Sequence, residues 1–596
     1  MRLRVLAVAA TVAVTLTGLV PAASSSVRPT DARPAPPKVP TAIGYGGAVS
    51  SVDPNATQVG LEVLRRGGNA TDAAIATAVA LGVSEPFSSG IGGGGFLVHY
   101  DARTGAVSTI DGRETAPAAM APDAFIDPST GQPYPFSPER VTSGVAVGVP
   151  GTLATWQRAL DRWGSMRLDQ VMRPGIRLAQ KGFVVDDTFR GMILDNRERF
   201  EAFPATEQLF LPGGEAPQVG TVFRNPDLAA TYRLIARHGT DFFYDGPLAA
   251  EIADNVQHPR ISADTDLPVP PGSMTAQDIA DYTAINREPT HVDYRGYDVF
   301  GMPPASSGGS TGGEALNIME QFDVPAMDDV QALHHYLEAS ALAFADRGKY
   351  LGDTAYVDVP LDQLLSDRFA AGRACEIDPM HAATKPVAAG DVDDPDGDCT
   401  AAQGQVAPDT ENINTTNLTV ADRWGNVVEY TLTIEQTGGS GMVLPGRGFL
   451  LNNELTDFSA VPSPDDPNSV EGGKRPRSSI SPTIVLSDGK PFVALGSPGG
   501  STIITTVLQM IFNRIDRGMT IQEAIAAPRA SQRNTADVTA EPAFVDAYGA
   551  ALGALGHTFA VTSEIGAATA IEFRPDGSMV AVAEPTRRGG GSAGVL

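Results

Sequence analysis

Two threonines lie where a short hairpin would bring their hydroxyls together. The stretch LTVADRWGNVVEYTLTI, starting at Leu418, reads as strand, tight turn, strand. A three-residue loop ending in Gly is a common hairpin connection. Set at Arg423, Trp424 and Gly425, it places Asp422 opposite Asn426, and the same register carries Thr415 opposite Thr433. Hydroxyls facing each other across a strand pair can share a hydrogen bond. A hydroxyl is a weak nucleophile until a neighbouring group takes its proton, so such a pairing is a candidate for acyl chemistry. The competing reading is that threonine is simply favoured in strands, and spacing alone favours it.

A second candidate is GSPGGST, residues 496–502, between the apolar segments PFVALG and IITTVLQMI. Glycines at a strand-to-helix junction leave backbone N–H groups free to face an anion, which suits an oxyanion hole. A phosphate loop competes, but the Lys that follows the glycines in such loops is missing. A plain tight turn is the third reading. GIGGGGF, residues 90–96, formally contains GxGxxG, yet a helix precedes it and a strand follows, the reverse of a dinucleotide site. Arg113 in DGRETAP, Glu454 and Asp457 in LLNNELTDFS, and Ser478 and Ser479 in KRPRSSISP are surface residues if taken singly. Taken together, they could hold both ends of a zwitterionic amino acid. The eight histidines include no HExxH, and no Cys/His cluster exists, so the sequence indicates no metal. A triad assembled in space stays open.

The elements that must position these residues are legible in part. VGLEVLRRGG reads as a helix with a Gly stop. Residues 69–83 form an Ala-rich helix capped by Asn69 or Thr71, apolar almost all round and so expected to be buried. Residues 333–349 have helical periodicity. Residues 376–412 hold much Gly, Asp and Pro and read as exposed and mobile. From Asn417 onward the texture is β. SISPTIVLSDGKPFVALGS is a second hairpin with an Asp-Gly turn, TIITTVLQMIFNRI a helix, and TAIEFRPDGSMVAV a last pair of strands. Strands at close spacing with long helices on one large core suggest sheets flanked by helices.

The bulk numbers narrow the function classes. The 596 residues are 42 % hydrophobic and 19 % charged, a globular balance. With 43 basic and 70 acidic residues the formal charge is −27, which argues against nucleic acid and anionic lipid as partners. Arg2 and Arg4 precede an uncharged apolar run over residues 5–20 and then PAASSS, a signal peptide over residues 1–23 with cleavage near Ala22 or Ala23. The alternative, a membrane anchor, needs a run of about 20 residues. Export makes the protein secreted or extracytoplasmic. Residues 24–40, rich in Pro, Ser and Ala, read as a flexible spacer. Cys375 and Cys399 read as one disulfide in an exported chain, with two free thiols as the alternative.

Several long motifs, in order along nearly all of the mature chain, resemble the γ-glutamyltransferases (γ-glutamyltranspeptidases) of the N-terminal nucleophile hydrolase superfamily. They run from GGAVSSVDPNATQVGLEVLRRGGNATDAAIATAVALGVSEPFSSGIGGGGF through DGRETAP, PPASSGGSTGGEALNIME and AFADRGKYLGD. They continue through NTTNLTVAD, GNVVEYTLT, GRGFLLNNELTDFS, KRPRSSISPTIV and GSPGGSTIITTVLQM. The resemblance implies an α+β, four-layer αββα sandwich. It implies a precursor that cuts itself between Asn414 and Thr415 into a large subunit ending at Asn414 (structured from about residue 41) and a small catalytic subunit, residues 415–596, which stay together as a heterodimer. Thr415 is then the nucleophile, Thr433 its hydrogen-bonding partner, and Gly499 and Gly500 the oxyanion glycines. Arg113, Ser478 and Ser479 match the holders of the glutamyl α-carboxylate, and Glu454 and Asp457 those of the α-amino group. Glu435, which also faces the substrate, falls where many members have Asn. Asn417 replaces a common His. The stretch between Asp457 and Ser478 has no aromatic lid residue apart from Phe458 at its start, and lidless relatives tend to be open to larger substrates, including poly-γ-glutamate. The implied substrates are γ-glutamyl amides such as glutathione, with water, an amino acid or a peptide as acceptor, and no cofactor. A related acylase or poly-γ-glutamate hydrolase, and an exported binding protein without catalysis, are the alternatives.

Overall fold

The computed structural model describes residues 35–395, 399–404 and 414–596. The expected signal peptide and most of the expected spacer lie outside the described residues. Two seven-stranded antiparallel sheets stack face to face. The first runs Ser592–Val595, Gly47–Ser51, Thr416–Asp422, Val427–Thr433, Gly94–Asp101, Ala106–Asp111, Ile285–Arg287. The second runs Thr41–Gly44, Met579–Ala583, Thr569–Phe573, Lys490–Gly496, Thr483–Ser487, Tyr297–Gly301, Thr290–Tyr294. Each sheet mixes strands from the beginning and the end of the chain, so neither half of the sequence completes a sheet alone.

Strand alternation sorts the side chains into layers. Leu418, Val420, Val428, Tyr430 and Leu432 point outward into a core shared with helices Pro54–Arg65, Ala70–Ser84, Thr152–Trp163 and Leu168–Lys181. Ala421 and Val427 point inward and meet Ala494, Ile571 and Met579 of the second sheet. Helices Gly308–Glu320, Asp329–Tyr350 and Thr502–Ile515 cover the outer face of the second sheet. This is the helix–sheet–sheet–helix sandwich that the motifs imply. Every residue of Ala70–Ser84 is buried, and Asn69 caps it in a reciprocal pair with Asp72. Its first N–H donates to Asp422 Oδ2 at 2.9 Å, tying the helix to the hairpin turn.

The hairpin has the expected register: Thr416 pairs with Leu432, Ala421 with Val427, and Gly425 turns at φ +89°. The glycine run at 92–95 forms no nucleotide loop. It lets two backbones touch, since a Cβ on Gly93 would lie 2.0 Å from Thr433 O and one on Gly95 2.4 Å from Thr431 O.

Two expectations of loose chain change where residues are described. Lys38 in the spacer pairs with Asp186 at 3.1 Å, and Val39 O and Pro40 O accept from Ala593 and Ala583. Within residues 376–414, Lys385 is buried against Glu338 at 2.7 Å, and the N–H groups of Val387 and Gly390 donate to Asn534 and Asp346. Charged and backbone hydrogen bonds hold this stretch where large apolar residues are scarce. Cys375 and Cys399 are joined in a disulfide with Cα atoms 4.9 Å apart.

Candidate functional site

Thr415 immediately precedes the strand Thr416–Asp422, and Thr433 ends the neighbouring strand. The chain is continuous through Asn414–Thr415. Thr415 Oγ1 donates to Asn414 O at 2.6 Å and lies 3.4 Å from Thr433 Oγ1. Thr433 Oγ1 also reaches Asn414 O, at 3.3 Å, and accepts the Glu435 N–H at 2.8 Å. The carbonyl between the two residues therefore has both hydroxyls on it.

A cavity opens here, lined among others by Asn414, Thr415, Thr433, Glu435, Ser478 and Gly500. Glu435 is held at φ +72°, and its carboxylate accepts from Asn453 Nδ2 at 2.5 Å. Gly499 and Gly500 turn the chain at φ +145° and +55° before Thr502–Ile515, and a Cβ on Gly499 would meet Thr502 Oγ1 at 2.6 Å. At the other end of the cavity Arg113 pairs with Glu454 and, at 2.5 Å, with Asp457. It also donates to the carbonyls of Pro476 and Arg477. Burial lowers the Arg113 pKa, and the two carboxylates more than reverse this, so the guanidinium stays charged. Ser478 faces the cavity, whereas the Ser479 hydroxyl accepts from Arg347 Nη2 at 2.9 Å. Phe458 is fully buried with Met120, Phe125 and Leu455.

Below the threonines the inward face stays polar. Asn417 Nδ2 donates to Glu429 Oε1 at 2.5 Å and to Thr569 Oγ1 at 2.8 Å, and Asn417 Oδ1 accepts from Thr431 at 2.5 Å. Burial pushes the Glu429 carboxyl well above the usual range. Gly496, just before the glycine loop, lies so close that a Cβ there would be 2.5 Å from Glu429 Oε1. The network joins the strand that follows Thr415 to Thr569, the ladder partner of Gly496 just before the glycine loop.

One group has no counterpart in the sequence motifs. Arg588 Nη1 donates to Thr415 O and its Nη2 to Asn414 Oδ1, both at 2.7 Å. Ser88 Oγ donates to the same Oδ1 at 3.1 Å, and Asn414 Nδ2 donates to Phe87 O at 2.6 Å. The only local signal is an Arg inside TRRGGG, where Arg588 takes φ +53°. Its partners lie 500 positions away at Ser88 and 174 at Asn414, and no periodicity connects them. Elsewhere His334, Glu338 and His557 come together, but Glu338 is already taken by Lys385.

The family model described as "Gamma-glutamyltranspeptidase" matches residues 56–594. The "Glutathione hydrolase proenzyme" of Bacillus subtilis (strain 168) is 40 % identical over 92 % of this chain and 91 % of its own length. That of Escherichia coli (strain K12) is 39 % identical over 90 % of each. Among solved structures, a cephalosporin acylase from Bacillus halodurans superposes with a TM-score of 0.80 at 30 % identity, covering 96 % of this chain and 99 % of that one. The chain belongs to the γ-glutamyltranspeptidase family.

Proposed function

We propose that the protein is an exported, self-processing γ-glutamyltransferase and hydrolase. It cleaves γ-glutamyl amides such as glutathione through an ester on Thr415 and passes the glutamyl group to water or to an amino acid or peptide. The observation that carries this reading is the convergence of Thr415 Oγ1 and Thr433 Oγ1 on Asn414 O, in the same cavity as the Arg113, Glu454 and Asp457 cluster. The names of the relatives support the choice of substrate.

Maturation begins with attack of Thr415 Oγ on the Asn414 carbonyl carbon. The C–N bond breaks, the nitrogen leaves as an amine carrying the hydroxyl proton, and an ester joins Asn414 to Thr415 Oγ. Water opens the ester, releasing an Asn414 carboxylate and a free Thr415 hydroxyl. The new α-amino group, with a reference pKa near 8, is then the base that the hydroxyl lacked. In turnover the same oxygen attacks the γ-carbonyl, the N–H groups of Gly499 and Gly500 receive the negative charge, and Thr433 steadies the nucleophile. Arg113 and Ser478 bind the α-carboxylate, with Ser479 behind them through Arg347. Glu454, Asp457 and Glu435 receive the α-ammonium. A zwitterion exchanges one set of ion pairs for another here: its carboxylate takes Arg113 and its ammonium takes the two acids.

The overlay with a cephalosporin acylase favours a second reading, an acylase for other amides. The test is release of nitroaniline from γ-glutamyl 4-nitroanilide and from the glutaryl anilide that lacks the α-amino group, with and without glycylglycine. Preference for the γ-glutamyl donor, with glycylglycine accelerating release, is the expected result. Preference for the glutaryl donor would assign the protein to the acylases instead.

A further inference from the structure

The side chain of Asn414 is held as a ligand is held. Its oxygen receives two donors, Arg588 Nη2 at 2.7 Å and Ser88 Oγ at 3.1 Å. Its nitrogen gives a hydrogen to an acceptor that cannot change sign, the carbonyl of Phe87, at 2.6 Å. Two donors on one side and a backbone carbonyl on the other match the polarity of a carboxamide. A carboxylate would set an oxygen against the Phe87 carbonyl, and an apolar side chain would leave donors without acceptors. Arg588 is fixed at both ends, since its second nitrogen holds Thr415 O and its own N–H donates to Glu564 at 3.0 Å.

From this arrangement we infer that Phe87, Ser88 and Arg588 form a carboxamide cradle that selects Asn at position 414 and positions the Asn414–Thr415 bond for self-cleavage. The inference rests on the self-processing reading above. Arg588 acts here as a positioning residue, because it grips the amide side chain before the bond and the carbonyl after it, and so fixes the intervening peptide relative to Thr415 Oγ1.

The cradle makes a prediction that a merely structural role does not share. In Asn414→Asp the side chain regains a hydrogen for Phe87 O only when protonated. The charged groups around it are Arg588, Glu85 at 4.0 Å from Arg588, and Glu564; Asp53, Asp186 and Lys38 act on Glu85. Because these groups are present in the parent as well, the readout is the ratio of variant to parent cleavage rate at each pH.

Purified full-length precursors are followed by mass spectrometry. At pH 7.5, Asn414→Asp and Asn414→Ala are each expected to cleave at least about 10-fold more slowly than the parent, the first by setting a carboxylate oxygen against Phe87 O and the second by losing the charge-assisted hydrogen bond from Arg588. Lowering the pH to about 4, the ordinary Asp value, restores the Asp variant relative to the parent at least about two-fold and leaves the Ala ratio unmoved, because the Ala variant has no carboxyl at position 414 to protonate. Parent-like cleavage of both variants, or an Asp ratio that does not change with pH, overturns the cradle. Uncut Thr415→Ala protein supplies a test independent of cleavage. In that background Asn414→Ala and Arg588→Lys should each lower the melting temperature by a few degrees, and the double variant should fall no further than the worse single one. Additive losses overturn the cradle even if the parent never cuts itself, an outcome that would by itself refute the self-processing reading. Ser88→Ala replaces Arg588→Lys in this cycle should the latter fail to fold.

Discussion

The layer between the two sheets is built from opposite chemistry at its two ends. At the turn end of the hairpin, Ala421 and Val427 meet Ala494, Ile571 and Met579 in a dry apolar contact. At the other end the same two strands present Asn417, Glu429 and Thr431, and above them Thr415 and Thr433. Burying apolar surface holds sheets together but sets no direction, because the attraction is not directional. Hydrogen bonds are directional and costly to leave unmade, so the polar end can hold a hydroxyl and a glycine loop in a fixed relation. One end of the layer supplies cohesion and the other supplies alignment.

The largest effect that can break this division falls at its tip. Thr415→Ala should leave one uncut chain with turnover lower by a factor of at least about 10⁴, seen by mass and by anilide release, because nucleophile and base are lost together. Folding should be retained. Arg113→Lys keeps the charge but loses the fork that spans Glu454 and Asp457. Its kcat/KM on γ-glutamyl anilide should fall about 100-fold while self-cleavage continues, which would separate substrate holding from alignment of the nucleophile. Ile571→Ala and Asn417→Ala test the two ends directly. The first should cost about 2–5 kcal/mol in denaturant unfolding with kcat nearly kept. The second should cost about 1–3 kcal/mol and also slow both cleavage and turnover, because Glu429 and Thr431 lose their common partner. If Asn417→Ala costs stability alone, the polar end does not align the site.

The smallest effect concerns Glu85, whose pKa burial raises to about 7, with Arg588 acting to lower it. Its folded value lies above its unfolded one, so the native state holds the extra proton. The stability this contributes is fully present below about pH 4.5 and is lost as the pH rises through 7. With its side chain 15 % exposed, the effect should be about 1 kcal/mol. Glu85→Gln should flatten the fall in unfolding free energy between about pH 5 and 8 by that amount, and an unchanged slope would show that Glu85 does not contribute it.

What the sequence makes legible follows from range. The hairpin register is local, fixed by three turn residues, and it aims Thr415 at Thr433, although spacing alone favours a plain strand preference and the ladder itself ends at Thr416 and Leu432. The buried helix after Asn69 is legible because its apolar residues go all round. The long motifs carry Arg113, Glu454, Asp457 and Ser478, which the fold gathers into one cavity, and Ser479, which it turns toward Arg347. The glycine run before Phe96 is legible as something other than a nucleotide loop. That it lets strand backbones touch follows only from tertiary contact. Lys38 and Lys385 read as parts of loose segments because composition reports apolar burial, not ion pairs. Arg588 is invisible in the sequence for a related reason: its partners are set by where the last strand enters the first sheet, beside a loop from the start of the chain.

The central claim is that Thr415 becomes an N-terminal nucleophile, and intact mass spectrometry of the purified full-length protein, held at neutral pH, with sequencing of fragment ends, tests it most directly. The expected result is two chains that remain together, the smaller beginning at Thr415 and the larger ending at Asn414. A single chain that persists, or a cut at any other bond, would contradict it.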